Sequence, residues 1–381
     1  MLKFVPVRGY RAWGRFIQIP WSIYAGDPNW IPPLKLERRL HFSKHNPFFE
    51  HAKWCAWIAY RNGQAVGRIS AQIDQLRLDL KNDATGSFGM FEAIDDAEVV
   101  EGLLSTAEQW LVKQGMSCVE GPYNLSINDE CGLLVEGFDT PPSVMMGHAP
   151  SYYSRHIEEL GYRKANDIVS YRMHPNYSMT PVMNKIVARS ARVRKGQFTL
   201  RSLRRENFDA EIELLRDIFN EAWSENWGFL PFTQAEFNEV GTILKSLVNE
   251  DYIKIGEIDG NPISFIVCLP NINEAIQDLN GRLFPLRWLK FLWRMKVSRP
   301  KTVRVALMGV RKDYQQGLTG SGISLSMIAG IKGPVLSDGG KEVEMGWILE
   351  QNKSMRNIIE SIGGKVAKRY RIYTKNLVAC D

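Results

Sequence analysis

One stretch limits what this chain can fold into more than any other: Thr302 to Ile331. It opens with Val303-Arg304-Val305-Ala306-Leu307-Met308-Gly309-Val310, a β-branched, nearly continuous apolar run that reads as a buried strand. A polar turn, Arg311 to Gln316, leads into Gly317-Leu318-Thr319-Gly320-Ser321-Gly322. After it Ile323, Leu325, Met327, Ile328 and Ile331 recur at roughly helical spacing. Strand, glycine-rich turn and helix start together make an anion cradle, because glycine lets backbone approach a phosphate and the first-turn N–H groups point at it. No Lys-Ser/Thr follows the glycines, which argues against a P-loop. Six polar residues separate them from the strand, which argues against the dinucleotide fingerprint. A glycine-rich turn without any ligand stays open on this stretch alone.

The following residues narrow the choice. A second strand spans Glu342 to Leu349. Asn352 then starts a helix carrying Met355, Ile358, Ile359 and Ile362, closed by Gly363-Gly364, and a last strand runs from Lys365 to Tyr373. This order resembles the GNAT superfamily of acyl-CoA N-acyltransferases over about residues 198–375. The resemblance implies a coenzyme A pyrophosphate on the turn at Gly317, Thr319, Gly320, Ser321 and Gly322, with Met308, Val310 and Asn352 as further contacts. Two positions depart from the family's pattern. Gly317 stands where it has Gln or Arg, and Ile359 stands where many members have a Tyr that protonates the leaving thiolate.

A length of 381 residues fits two domains of about 190. An apolar content of 44% and 11 tryptophans are ample for two cores. The net charge of +6 suits CoA phosphates, anionic lipid or RNA and chooses none of them. Cys55, Cys118, Cys131, Cys268 and Cys380 are too widely spaced for a metal pair or a disulfide framework, so a reducing compartment and no bound metal are expected. The N-terminus lacks the apolar core of a signal peptide, and no 18-residue apolar run occurs. A cytoplasmic protein is the expectation.

The first half reads as a strand at Leu2–Val7, an aromatic helix near Tyr10–Ile23, and a hairpin turning at Asn62-Gly63. A strand at Phe88–Ala93, a helix at Glu101–Gln114, a helix at Tyr152–Leu160 and a strand at Asp167–Met173 follow. Glu158-x-x-Gly161 with Tyr171 recurs as Glu360-x-x-Gly363 with Tyr373, 202 residues on in each case. With the shared element order, this argues for an α/β chain of two tandem GNAT-like domains, each a mixed, mostly antiparallel twisted sheet flanked by helices. The expected boundaries are 1–177, a linker at 178–197, and 198–381. Between Phe91 and Glu101 acids cluster where the glycines would be, so only the second domain is expected to bind acyl-CoA. The first is expected to shape the acceptor pocket through Asn124, Asn128, His148, Tyr152 and Tyr153.

The linker carries Lys185, Arg189, Arg192, Arg194 and Lys195, and reads as a solvated connector before a nucleic-acid contact. Arg282 to Met295 and Lys296 mix large apolar residues with five cations and no acid. As a helix this has the make-up of an interfacial segment, with Trp288 and Trp293 at the acyl boundary and Arg287, Lys290 and Arg294 on anionic headgroups. An ordinary packed helix with a basic outer face is the alternative.

In the family, a backbone N–H near the end of the central strand polarises the thioester carbonyl, which implies Val310 here. All six histidines lie at or before His174, so a base from the second domain would be Glu344 or Glu350. With Ile359 in the usual Tyr place, Tyr370, Tyr373 or solvent would protonate the thiolate. The expected partners are acyl-CoA as cosubstrate, an amine acceptor and an anionic membrane surface; nucleic acid is not expected. A long-chain amino alcohol as acceptor would match the bacterial ceramide synthase type. A soluble small-amine acetyltransferase, a Fem-like aminoacyl-tRNA transferase and a non-catalytic lipid-binding descendant stay open.

Overall fold

The structure, a computed structural model, describes residues 1–193 and 196–377. Arg194, Lys195 and Cys380 lie outside the described residues.

The chain opens with β1 (Leu2–Pro6) and the aromatic stretch that follows. That stretch is two helices, α1 (Gly9–Gln18) and α2 (Pro20–Ile23), because Pro20 begins a new helix. After α3 (Lys35–His41), β2 (Ala52–Arg61) and β3 (Gln64–Asp74) form the expected hairpin, with Asn62 and Gly63 at φ +51° and +84°. Then come α4 (Gln75–Lys81), β4 (Thr85–Ala93), α5 (Ala97–Lys113) and β5 (Cys118–Gly121). The short strands β6 (Tyr123–Asn124), β7 (Glu130–Cys131) and β8 (Leu133–Glu136), α6 (Tyr152–Glu159) and β9 (Arg163–Met173) complete the first half. The rest runs α7 (Pro181–Ser190), β10 (Arg192–Val193), β11 (Gly196–Ser202), α8 (Phe208–Trp223), α9 (Gln234–Leu247), β12 (Ile253–Ile258), β13 (Asn261–Pro270) and α10 (Ile272–Ile276). It ends with α11 (Arg287–Trp293), β14 (Thr302–Val310), α12 (Gly317–Ser337), β15 (Glu342–Leu349), α13 (Lys353–Ser361) and β16 (Lys365–Asn376).

Two compact units result, and they do not follow a single cut of the chain. The first comprises Met1–Ile168, Ile276–Arg287 and Lys368–Asp381; the second comprises Val169–Ala275 and Trp288–Ala367. In the first, the strand order is β1-β2-β3-β4-β5-β16, with β8 also on β16, and α5 buries Val99, Val100, Leu103, Leu104, Ala107 and Leu111 against the sheet. In the second, the order is β9-β15-β14-β13-β12-β11-β10. β4 with β5 in the first unit and β14 with β15 in the second are parallel, while β1–β2, β2–β3, β3–β4, β5–β16 and β8–β16, and β10–β11, β11–β12, β12–β13 and β13–β14, are antiparallel.

α12 is buried on nearly every side, as a helix without a polar stripe must be. The sheet covers one face. α7 covers another, and a Cβ on Gly322 would stand 2.5 Å from Ser190 Oγ. The expected linker stretch contains a helix over Pro181–Ser190, α7, which meets α12 at Ser190 and keeps Lys185 and Arg189 exposed. The helix expected over 282–296 is shorter, α11 followed by a π-turn at Arg294–Ser298; it starts past Pro285, whose ring and missing N–H disfavour a helix interior.

Candidate active site

The site grows from one change of register. β14 and β15 run parallel in contact from Thr302↔Glu342 to Val305↔Met345 and no further. At that level the pairing of β14 with β13 shifts, Val267 facing Leu307 and Cys268 facing Val305, so Ala306 is an extra residue on β14. Such a bulge bends its strand. Beyond it β14 and β15 diverge and leave a wedge of about 240 Å³. Its walls include Ala306, Met308 and Val310 from β14, Met345, Gly346, Trp347, Ile348 and Leu349 from β15, and Met355, Ile358 and Ile359 from α13.

The β14 edge of the wedge carries backbone polar groups. Arg311 N–H donates to Ile263 O at 2.8 Å, which makes the neighbouring pair Val310↔Ser264 a non-hydrogen-bonded one. The Val310 N–H therefore turns from β13 toward the side that β15 has left. The Val310 carbonyl accepts from Gln315 Nε2 at 2.7 Å, and the Met308 carbonyl accepts from the Trp223 indole at 2.9 Å.

At the wedge's mouth α12 begins. Gly317 takes φ +61°, and no side chain caps the helix among the described residues; its first turn has no acid. Gly320 N–H reaches Gln316 O at 3.2 Å, leaving the N–H groups before it facing outward. Arg311 is held by Asp217 and Glu221, and Lys312 by Glu225, so the cations of the turn are already paired. An anion there would meet backbone N–H groups, which suits a diphosphate. Thr319 and Ser321 are half-buried in this turn, the Ser321 hydroxyl donating to Gly317 O. Gly320 has a different reason from the expected one. A Cβ there would stand 1.9 Å from Gln315 O, so the chain itself requires the glycine.

The other expected residues fall as follows. Asn352 borders the wedge and caps α13, accepting from Met355 N–H at 3.1 Å. Glu344 is fully buried in an ion pair with Arg172 (3.0 Å) and is not among the wedge-lining residues. Glu350 is half-buried, between the wedge residues Leu349 and Asn352. Tyr370 and Tyr373 belong to the first unit and do not line the wedge. The Tyr373 hydroxyl donates to Glu158 at 2.8 Å.

In the first unit, Asn124 accepts from Met90 N–H (2.8 Å) and donates to Glu130 (3.1 Å), and Asn128 N–H donates to Ser126 Oγ. Tyr153 OH accepts from Ala93 N–H and Tyr152 OH donates to Ala93 O, both at 2.7 Å. Burial pushes the Tyr152 hydroxyl up to about 12. His148 meets Asp27 at 2.8 Å, and burial lowers its pKa against the pull of that carboxylate.

On α11, Trp288 and Trp293 are 38% and 57% exposed, beside exposed Leu289 and Leu292. Arg287 and Arg294 each donate to a backbone carbonyl, of Leu279 and Ala275, while Lys290 is exposed. Among the described residues no helix is long and apolar enough to cross a membrane.

No family model matches the chain. The chain is 49% identical over 363 residues to Protein YghO of Escherichia coli K12, covering 95% of this chain and 92% of that protein. It is 42% identical over 384 residues to the Bacterial ceramide synthase of Caulobacter vibrioides, covering 99% of this chain and 98% of that protein. The chain belongs to their family. Among solved structures, a tandem GNAT protein from the clavulanic acid biosynthesis pathway matches over the full length of both chains, with TM-score 0.57 and 11% identity. At that identity the likeness shows the fold, an α/β GNAT-like fold with a mixed sheet and flanking helices, as the element order implied. Sequence reasoning missed Trp223 and Trp347 as wedge residues, because a tryptophan in an apolar run looks the same whether it faces a core or a cleft.

Proposed function

We propose that this protein is an acyl-CoA-dependent N-acyltransferase built of two tandem GNAT-like domains, the second carrying the acyl-CoA site. Its acceptor is the amine of a membrane-borne lipid precursor such as a sphingoid base. The observation that carries this reading is the open wedge beside a helix start that no side chain caps among the described residues. The full-length similarity to a bacterial ceramide synthase supports the class of acceptor.

In the proposed reaction the acceptor nitrogen attacks the thioester carbonyl carbon, the C–S bond breaks and an amide forms. Val310 N–H stabilises the oxyanion. Glu350 takes the ammonium or amine proton through water, because Glu344 is committed to Arg172 and no histidine follows His174. With Ile359 on the wedge wall, solvent protonates the leaving thiolate. Trp288, Leu289, Leu292 and Trp293 rest on the cytoplasmic face of the membrane, helped by Lys290 and its neighbouring cations.

The test is thermal stabilisation by acetyl-CoA, palmitoyl-CoA and an aminoacyl-tRNA in parallel, since a ligand that binds only the native state raises the melting temperature. Palmitoyl-CoA should give the largest shift, and sphinganine should then yield an N-acylated product by mass spectrometry. A shift with acetyl-CoA alone returns a soluble small-amine acetyltransferase, and one with tRNA a Fem-like enzyme. Binding without product in any pairing leaves a lipid-binding descendant. Co-sedimentation with phosphatidylglycerol vesicles against neutral ones tests the surface; no sedimentation with either removes it.

A further inference from the structure

In the first unit, α3 is built inside out. Its polar residues are turned inward: Arg38 reaches Glu130 at 3.2 Å, and His41 Nε2 lies 3.4 Å from Asn124 O. Its leucines face outward, Leu36 at 47% and Leu40 at 62% exposure. A helix with only water outside it does the opposite. Two neighbouring elements of the same unit add to this face. From α1, exposed Tyr10 stacks under Arg39, whose guanidinium carbon is 5.1 Å from the ring centroid. The segment Ile276–Arg287 is fastened to α3 by Lys35 N–H on Gly281 O at 3.0 Å, and to α2 by the Trp21 indole on Asn280. It presents Phe284 and Leu286, 67% and 69% exposed. Large apolar side chains gathered at one surface mark an interaction site. The charge there has one sign. Burial, and then the like charges of Arg282 and Arg39, lower the Lys35 pKa, so three cations crowd together. The neighbouring acid, Glu37, is engaged by Arg38 at 2.6 Å.

We propose that this face is a membrane-docking surface of the first unit, and that its partner is an anionic lipid bilayer. The inference rests on the membrane reading of α11 given above and extends it to the first unit. Leu286 and Arg287 lead directly into Trp288, the residue with which that reading begins. Lys35, Arg39 and Arg282 meet anionic headgroups, while Leu36, Leu40, Phe284 and Leu286 enter the acyl boundary. Protruding side chains suit a surface that deforms around them; a rigid partner protein would need a matching hollow for each. A second copy fits worse, because a two-fold contact would set the three cations against their own counterparts.

The test is co-sedimentation of the full chain with phosphatidylglycerol vesicles at two salt concentrations. Leu36→Gln with Leu40→Gln should weaken binding roughly tenfold at both, since salt does not screen an apolar contribution. Arg39→Gln with Arg282→Gln should weaken it roughly 30-fold at low salt and far less at high salt, as expected for two cations at an anionic surface. Leu80→Gln, at an exposed leucine between Asp79 and Lys81, should change nothing; an equal loss there would make the leucine effect unspecific and overturn the assignment. The two double variants share no residue, so misfolding of one leaves the other as the test. Wild-type affinity in both overturns the first-unit surface. If Trp288→Ser with Trp293→Ser then abolishes binding, the α11 reading stands alone. Failure of the wild type to bind any vesicle overturns both. A dimer in sedimentation velocity that the leucine variant dissolves assigns the face to a second copy and likewise overturns the proposal.

Discussion

The two units begin the same wedge and finish it in opposite ways. In each, a nine-residue strand starting at a threonine (β4 from Thr85, β14 from Thr302) pairs in parallel for a few residues with the next strand. Ala93 faces Gly67 as Val310 faces Ser264, so the two strand ends are equivalent. In the first unit the Ala93 N–H and carbonyl are both taken by the hydroxyls of Tyr153 and Tyr152, and Met90 N–H is taken by Asn124. In the second, the residues 202 positions after those tyrosines are Ser354 and Met355, and they border open space. The helix starts differ likewise. Asp96 caps α5 by accepting from Val99 N–H, its carboxyl held below the usual range chiefly by the Arg61 hydrogen bond, whereas no side chain caps α12 among the described residues. One unit has supplied its own anion and its own donors and acceptors. The other leaves them for a ligand.

The largest expected effect concerns a third equivalent pair, His148 and Glu350, again 202 residues apart. His148 is sealed against Asp27, while Glu350 stands beside the wedge. Glu350→Gln should lower kcat roughly 10²–10⁴-fold with the fold intact, the usual worth of a general base. His148→Gln should leave kcat within about threefold while lowering thermal stability, since it breaks a buried pair of the kind whose loss costs a few kcal/mol at most. Steady-state kinetics on both variants decides; equal losses would erase the functional asymmetry.

Next in size is closing the second wedge by copying the first. Ser354→Tyr with Met355→Tyr should weaken palmitoyl-CoA binding roughly 100-fold, about 2.7 kcal/mol. Calorimetry on the folded variant checks it, and unchanged affinity would mean that the ligand does not use this space. A smaller loss, about tenfold, is expected for Thr319→Glu, which sets a carboxylate at the uncapped start of α12. Glu98→Gln at the start of α5 should change CoA affinity not at all. Gly320 is a poor probe here, because any side chain collides with Gln315.

How far all this was legible in the sequence follows from what each pattern encodes. Asn62-Gly63 fixed its hairpin because two positive φ angles in succession admit few residues. The β14–α12 stretch and the capped helix at Asn352 were readable for similar local reasons. Partnership was not. Alternating residues in β9 and β16 look alike whichever neighbour they pair with, so nothing local says that Lys368–Asn376 completes the sheet of the first unit while Val169–Met173 joins β15 in the second. The cover that α7 gives α12 was hidden because its exposed face is basic and reads as solvated. At the site, Glu344 was flagged by residue type alone; burial against Arg172 depends on a residue 172 positions away.

The smallest expected effect tests how alike the two units are beneath their different wedges. The sequence match at 202 residues offers Glu158 with Tyr171 and Glu360 with Tyr373, but the structure crosses them. Tyr171 donates to Glu360 at 2.6 Å within the second unit, and Tyr373 donates to Glu158 at 2.8 Å within the first. Both tyrosines are fully buried, yet the carboxylates keep side-chain exposures of 47% and 48%, so water can solvate them once the phenol is gone. Each Tyr→Phe change should therefore cost only about 0.5–1.5 kcal/mol, the net value of one hydrogen bond. Tyr171 also accepts from Arg356 Nε at 2.9 Å, which places Tyr171→Phe at the upper end of that range. Urea denaturation of both single variants and the double variant measures this. Losses that add within about 0.5 kcal/mol mean that the crossed pairs act as independent, equivalent fastenings. A double variant no less stable than either single one would mean that the two pairs are coupled and not independent fastenings, and single variants as stable as the wild type would leave the likeness to the apolar faces of β9 and β16 alone.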